Sequence, residues 1–145
     1  MMVVDASLAM AWVFEDESSD ATDALLDEVI ADGGVVPPLW VAEVANVLTV
    51  AQRRGRVTAA EASRMAQLLG RLPLEWSELD PTISDVLVTA QTYGLSAYDA
   101  TYLLVAMREG LPIGTLDASL RAAASAAGVG VGPSQWPTVL RSVLR

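Results

Sequence analysis

The chain contains no cysteine, no histidine and no lysine. Each absence removes a class of chemistry. Without cysteine there is no disulfide framework, thiol nucleophile, zinc–thiolate centre or iron–sulfur cluster. Without histidine there is no Ser-His-Asp or Cys-His apparatus and no imidazole zinc site. Without lysine there is no Walker A phosphate loop and no Schiff base. A lysine beside an acidic pocket is also what a HAD-like phosphatase or a receiver domain would need, and both are set aside on that ground. Catalysis is left to carboxylates, hydroxyls, amides, arginines or a bound metal.

Long apolar runs are missing too. The stretch Tyr102 to Met107 is among the longest, whereas a membrane span needs about 18 or more consecutive apolar residues. The start, Met-Met-Val-Val-Asp, lacks the basic region and cleavage site of a secretory signal. The expectation is a cytoplasmic protein with no membrane partner. What the chain does have is 145 residues, 52% of them hydrophobic, which is enough for one domain, residues 1–145, with a real core. It carries 18 acidic side chains against 9 arginines, a net charge of −9. Charge alone argues against nucleic acid, whose phosphates are usually met by basic side chains.

Short apolar runs alternate with helical patterns. Val3-Val4 ends at Asp5, and a helix follows from Ser7 to Phe14. Asp20 to Ala31 has helical periodicity and stops at Gly33-Gly34. Val35-Val36 is a second strand, broken by Pro37-Pro38; a helix then runs from about Val41 to Arg54. Thr58 to Glu61 is a capping box opening a helix to about Leu72. Leu74 to Trp76 is a candidate third strand. Pro81, at a favoured first helical position, opens a helix to Tyr93. Ser96 opens another to Glu109. Ile113 to Leu116 is a fourth strand, Asp117 to Ala127 a helix, and Val129 to Val131 a candidate fifth strand. Strands without period-2 alternation, separated by helices, predict a parallel sheet of four to five strands covered on both faces.

Four acids fall where such a sheet binds ligands, at or near the carboxyl ends of strands. Asp5 and Asp117 follow strands directly, within the echoed pair Val4-Asp-Ala-Ser-Leu8 and Leu116-Asp-Ala-Ser-Leu120. Glu43 and Asp99 lie in early turns of helices. Each has an ordinary alternative as a helix cap or first-turn acid. Together at one rim they would repel one another, and a divalent cation would relieve that conflict. Oxygen ligands alone point to Mg²⁺ or Mn²⁺ rather than zinc.

Four ordered motifs carry a family resemblance. They are Val-Val-Asp5-Ala-Ser-Leu-Ala, Pro-Pro-Leu-Trp-Val-Ala-Glu43-Val-Ala-Asn46-Val-Leu, Gly94-Leu-Ser-Ala-Tyr98-Asp99-Ala-Thr-Tyr102, and Thr115-Leu-Asp117-Ala-Ser-Leu120. The chain resembles PIN-domain ribonucleases over nearly its whole length, and within them the VapC toxins of VapBC toxin–antitoxin pairs. The resemblance implies a three-layer α/β/α fold and a Mg²⁺-dependent endoribonuclease, with Mn²⁺ as the alternative ion. It implies that Asp5, Glu43, Asp99 and Asp117 hold the metal, Asp5 and Asp99 directly and the other two partly through water. Ser7, Thr115 and Asn46 would support the acids. Where some members carry a further acid, this chain has Ser119, which leaves a second metal position short of a ligand. The implied partners are RNA, a VapB-like antitoxin and a second copy of the chain. A nuclease of RNA maturation and a non-catalytic interaction module keeping the fold are the alternatives.

The only basic cluster is Arg53-Arg54-x-Arg56. It reads either as a phosphate contact or as a helix C-terminus where cations suit the dipole. Trp12, Phe14, Leu25 and Leu26 read as core, with an antitoxin groove as the competing reading.

Overall fold

A computed structural model describes residues 1–133; the expected domain over residues 1–145 therefore extends beyond the described part. Five short strands form one parallel sheet: β1 (Met2–Val4), β2 (Gly34–Val36), β3 (Leu74–Trp76), β4 (Ile113–Gly114) and β5 (Val131–Gly132). Their spatial order is β3-β2-β1-β4-β5. Val3 pairs with Val35 on one side and with Ile113 on the other. The chain thus steps outward from β1 to β3, returns to the other side of β1, and steps outward again. That reversal makes a topological switch point between β1 and β4, where open α/β sheets leave a crevice at the strands' carboxyl ends.

Right-handed crossovers then dictate the layers. Helices α1 (Ala6–Val13), α2 (Asp20–Asp32), α3 (Leu39–Arg53) and α4 (Ala59–Gly70) belong to the outward steps and pack around α1. Helices α5 (Ile83–Tyr93), α6 (Ala97–Glu109) and α7 (Ala118–Ala126) pack together around α6 on the other face. Val3, Val4, Leu8, Tyr102, Leu103, Ile113 and Leu120 are fully buried between the layers. The expected α/β/α architecture with five parallel strands is the one observed.

Local signals explain most boundaries. The Thr58–Glu61 capping box forms, and so do two others, Ser19–Thr22 and Thr82–Asp85. The last of these corrects the expected start of α5. Thr82 and Asp85 exchange bonds of 3.0 and 3.1 Å, so the helix begins at Ile83 and Pro81 lies before its cap. The fourth strand also stops earlier than expected. It ends at Gly114; beyond it the Thr115 carbonyl accepts from Arg121 Nη1 at 2.9 Å. Pairing of β5 with Ile113 and Gly114 likewise shifts that strand to Val131–Gly132. Trp12, Phe14 and Leu25 belong to the core rather than to a groove. Phe14 and Leu25 are buried, and the Trp12 indole N–H donates to the Thr22 carbonyl at 2.8 Å.

Gly114 marks the tightest approach of helix to sheet at the switch point. A Cβ there would lie 2.5 Å from Leu8 Cδ2 and 3.0 Å from Met2 Sδ. Both neighbours are locked in the core, so crowding forces them off their rotamers. Gly114→Ala is expected to destabilise the fold by about 1–3 kcal/mol. Urea denaturation checks this, and an unchanged midpoint would contradict the tight seat.

Candidate metal and active site

Asp5 caps α1 in geometry but not in chemistry. Its backbone is extended, yet its side chain makes no cap hydrogen bond. Instead Oδ2 accepts from Ser7 Oγ at 2.6 Å and from Thr115 Oγ1 at 2.7 Å. Ser7 Oγ in turn accepts the Leu116 N–H at 3.0 Å, and Thr115 Oγ1 accepts the Asp117 N–H at 3.1 Å. Asp5 is buried, with its carboxylate held from one side by two hydroxyls.

Asp117 is a true N-cap: Oδ1 accepts the Leu120 N–H at 2.8 Å. Glu43 comes in from α3, and its Oε1 accepts from the Tyr102 hydroxyl at 2.7 Å. Tyr102 is fully buried on α6, one turn beyond Asp99. Asp99 itself is the least committed. Ser96 Oγ accepts the Asp99 N–H at 3.1 Å, but the return bond that completes a capping box in α2, α4 and α5 is not made.

The four carboxylates line one cleft of about 340 Å³ at the carboxyl ends of β1 and β4, together with Glu17. Burial and the neighbouring charges of Asp117, Asp5 and Glu43 push the Asp99 carboxyl up to about 6. Burial raises Glu43 as well, against the Tyr102 hydrogen bond that lowers it, and Asp5 adds to the rise. These groups therefore feel one another's charge. Yet no three acids among the described residues are drawn into a ready-made ligand cluster. Carboxylate oxygens are the donor type that hard divalent cations take. A donor set of oxygens alone suits a hard divalent cation better than zinc, which favours nitrogen and sulfur.

The supporting residues separate. Ser7 and Thr115 are bonded to Asp5. Asn46 is exposed and lines the next groove, with Val47, Arg54 and Arg56. Val47, four residues beyond Glu43, is the α3 residue that joins Glu43 in the acid cleft. Arg53 is exposed at the end of α3. Arg56 is engaged internally. Its Nη2 lies 2.8 Å from Asp16 and 3.0 Å from Glu17, and its guanidinium stacks 3.9 Å from the Phe14 ring centroid. Arg56 thereby anchors the 3₁₀ turn Glu15–Glu17 that brings Glu17 to the rim.

Residues 2–126 match the PIN domain as a sequence family. The chain belongs to the PIN domain family. Two solved structures share this PIN fold. PAE2754 from Pyrobaculum aerophilum is 27% identical over 99% of this chain and 96% of its own, with a TM-score of 0.70. FitAcB from Neisseria gonorrhoeae is 17% identical over 90% of this chain and 96% of its own, with a TM-score of 0.62, a likeness of fold. No curated protein matches the chain significantly in sequence.

Glu17, which lines the cleft, and Tyr102, which lies buried behind it and donates to Glu43, are polar residues of this PIN domain that sequence reasoning did not assign. The available signal for Tyr102 was its position three residues after Asp99, on the same helical face. Asp99 also carries a stability consequence. In the folded protein its proton leaves near pH 6, whereas in the unfolded chain it leaves near 3.8. Below about pH 4 both states hold the proton and no penalty exists; above about pH 6 the ionised carboxylate penalises the folded state in full. Without metal, this group therefore raises the melting temperature as pH falls from 7 to 5. Asp99→Asn is expected to melt higher than the wild type at pH 7 in chelator and to flatten that stretch of the profile. Equal melting temperatures at pH 7 would contradict the crowding of charge.

Proposed function

We propose that this PIN domain is a metal-dependent endoribonuclease and the toxin of a VapBC-type toxin–antitoxin pair. The observation that carries the reading is the Asp99 carboxylate. It completes no capping box, is half-buried, and is raised first by that burial and then by the charges of Asp117, Asp5 and Glu43 in one cleft at the switch point. A structural cap has no use for that electrostatic strain, whereas a cation-binding group does.

The residues divide the work. Asp5 and Asp99 would hold Mg²⁺ or Mn²⁺ directly, and Glu43 and Asp117 would act partly through water. Bound there, the ion supplies a more acidic water and neutralises charge on the phosphate and leaving group. Thr115 and Ser7 donate to the same Asp5 oxygen, which fixes the carboxylate plane and leaves Oδ1 for the cleft. Tyr102 does the same for Glu43 by occupying Oε1. Asp117 gives one oxygen to its helix cap and keeps the other. Because the chain has no histidine, its own side chains offer no imidazole pair for 2′-hydroxyl attack, and the resemblance to PIN-domain ribonucleases implies a hydrolytic route to 5′-phosphate ends.

The resemblance to VapC toxins in length and texture supports the toxin role, with a VapB-like antitoxin and a second copy of the chain as partners. An antitoxin tail bearing arginine suits a cleft of four carboxylates and a net charge of −9. No helix among the described residues is long and apolar enough to cross a membrane.

The purified protein is expected to cleave single-stranded RNA with Mg²⁺, leaving 5′-phosphate and 3′-hydroxyl ends, and to stop in EDTA. Asp99→Asn should lower the rate by roughly 100-fold or more and abolish growth arrest on expression. Cleavage that survives chelation, a 2′,3′-cyclic phosphate product, or equal growth arrest by both proteins would overturn the reading. The non-catalytic interaction module is the outcome if no RNA is cut.

A further inference from the structure

Beside the acid cleft lies a second cavity, of about 300 Å³, that shares Glu17 with it. The two are separated by the segment Thr115–Asp117, whose Leu116 lines the second cavity. Arg121, on the first turns of α7, forms part of its wall.

The Arg121 guanidinium is bonded to neutral groups only. Nη1 donates to the Thr115 carbonyl at 2.9 Å and to the Gly132 carbonyl at 3.1 Å; Nη2 donates to the Pro133 carbonyl at 2.9 Å. No carboxylate among the described residues lies within ion-pair distance. A guanidinium has five N–H donors. These three bonds leave Nε–H and one Nη2–H without a protein acceptor among the described residues. A partly buried cation with two open donors is complemented by an anion that takes both.

The other charges at the cavity are two carboxylates that share one cation, so one negative charge is left over. Asp16 and Glu17 both line it, and both are paired with Arg56 at 2.8 and 3.0 Å. The Ser18 and Ser19 hydroxyls add neutral polar groups. The volume is at the small end for ligand sites, which suits one nucleotide unit. The Thr115 backbone carbonyl that Arg121 grips belongs to the residue whose hydroxyl holds Asp5. Cavity and cleft are therefore registered to each other through one residue.

We propose that this cavity seats the nucleotide flanking the scissile phosphate, with that nucleotide's own phosphate on the open donors of Arg121. The identity of the strand as RNA substrate rests on the nuclease reading above; binding itself does not need catalysis. A flanking site of this kind positions the strand along the cleft, which a metal cluster alone does not do.

The test uses the full-length protein in EDTA, with ribonucleoside 5′-monophosphates titrated by calorimetry. At least one is expected to bind, more tightly than its nucleoside and more tightly than inorganic phosphate. Arg121→Gln should weaken that binding roughly ten-fold or more. Ser18→Trp, at an exposed position on the cavity rim, should block it while the circular dichroism spectrum stays that of the wild type. If Arg121→Gln fails to fold, Ser18→Trp decides. No binding by any nucleotide, equal affinity in folded variants, equal binding of nucleoside or inorganic phosphate, or displacement by an acidic peptide at lower concentration would each overturn the proposal. Because chelator is present throughout, a failure of the nuclease reading shows separately, as wild-type protein that binds nucleotide yet leaves RNA intact with Mg²⁺.

Discussion

The buried hydrogen bond from Thr115 Oγ1 to Asp5 Oδ2, 2.7 Å long, joins the ends of two strands that lie 110 residues apart in sequence. Much of the site depends on it. It orients the first carboxylate of the cleft, and the same Thr115 hydroxyl accepts the N–H of Asp117, the residue that caps α7. It forms only because β1 and β4 are adjacent, and they are adjacent only because the sheet reverses there. Sheet order, cleft and carboxylate orientation are thus one constraint expressed at three scales.

Around that bond the protein concentrates charge of one sign. Elsewhere on the described chain many acids lie on helix surfaces or are paired, as Asp16 and Glu17 are with Arg56 and Asp85 is with Arg108; Glu109 is an exception, raised by burial and by the charges of Glu78 and Glu75. In the cleft the acids are partly desolvated and face one another. The cost falls mainly on Asp99, whose only compensation is the neighbouring Ser96 hydroxyl. Functional sites tolerate such local conflict because the surrounding core over-determines the fold. Here fully buried Tyr102, Leu103 and Leu120 hold the helices that carry the acids.

Much of this was legible in the sequence, and the exceptions are instructive. Strands bounded by Asp, Pro and Gly, and helices opened by Ser or Thr, locate the elements because those signals act locally. Asp5 and Asp117 stand out because an acid directly after an apolar run marks a strand end. What local signals do not carry is rotation about a helix axis and competition between caps. Asn46 and Val47 are equally plausible neighbours of Glu43 by spacing, and the tilt of α3 chooses Val47. Pro81 reads as a helix start until Thr82 and Asp85 outbid it with two reciprocal bonds. Tyr102 reads as core, which it is, and its hydroxyl role appears only once α6 faces α3. Arg56 illustrates the same point for charge: its acidic partners lie some 40 residues earlier in the chain.

The central claim is that the four carboxylates at the switch point together hold a cation, whose charge would offset the burial and crowding that raise Asp99. Calorimetric titration of the protein with Mn²⁺ in buffers of different ionisation enthalpy tests it most directly, because binding must displace whatever proton Asp99 holds. The account predicts saturable binding that releases protons at pH 6, releases almost none at pH 8, and is lost in Asp99→Asn. Binding without proton release at pH 6, or binding of equal affinity in the variant, would contradict it.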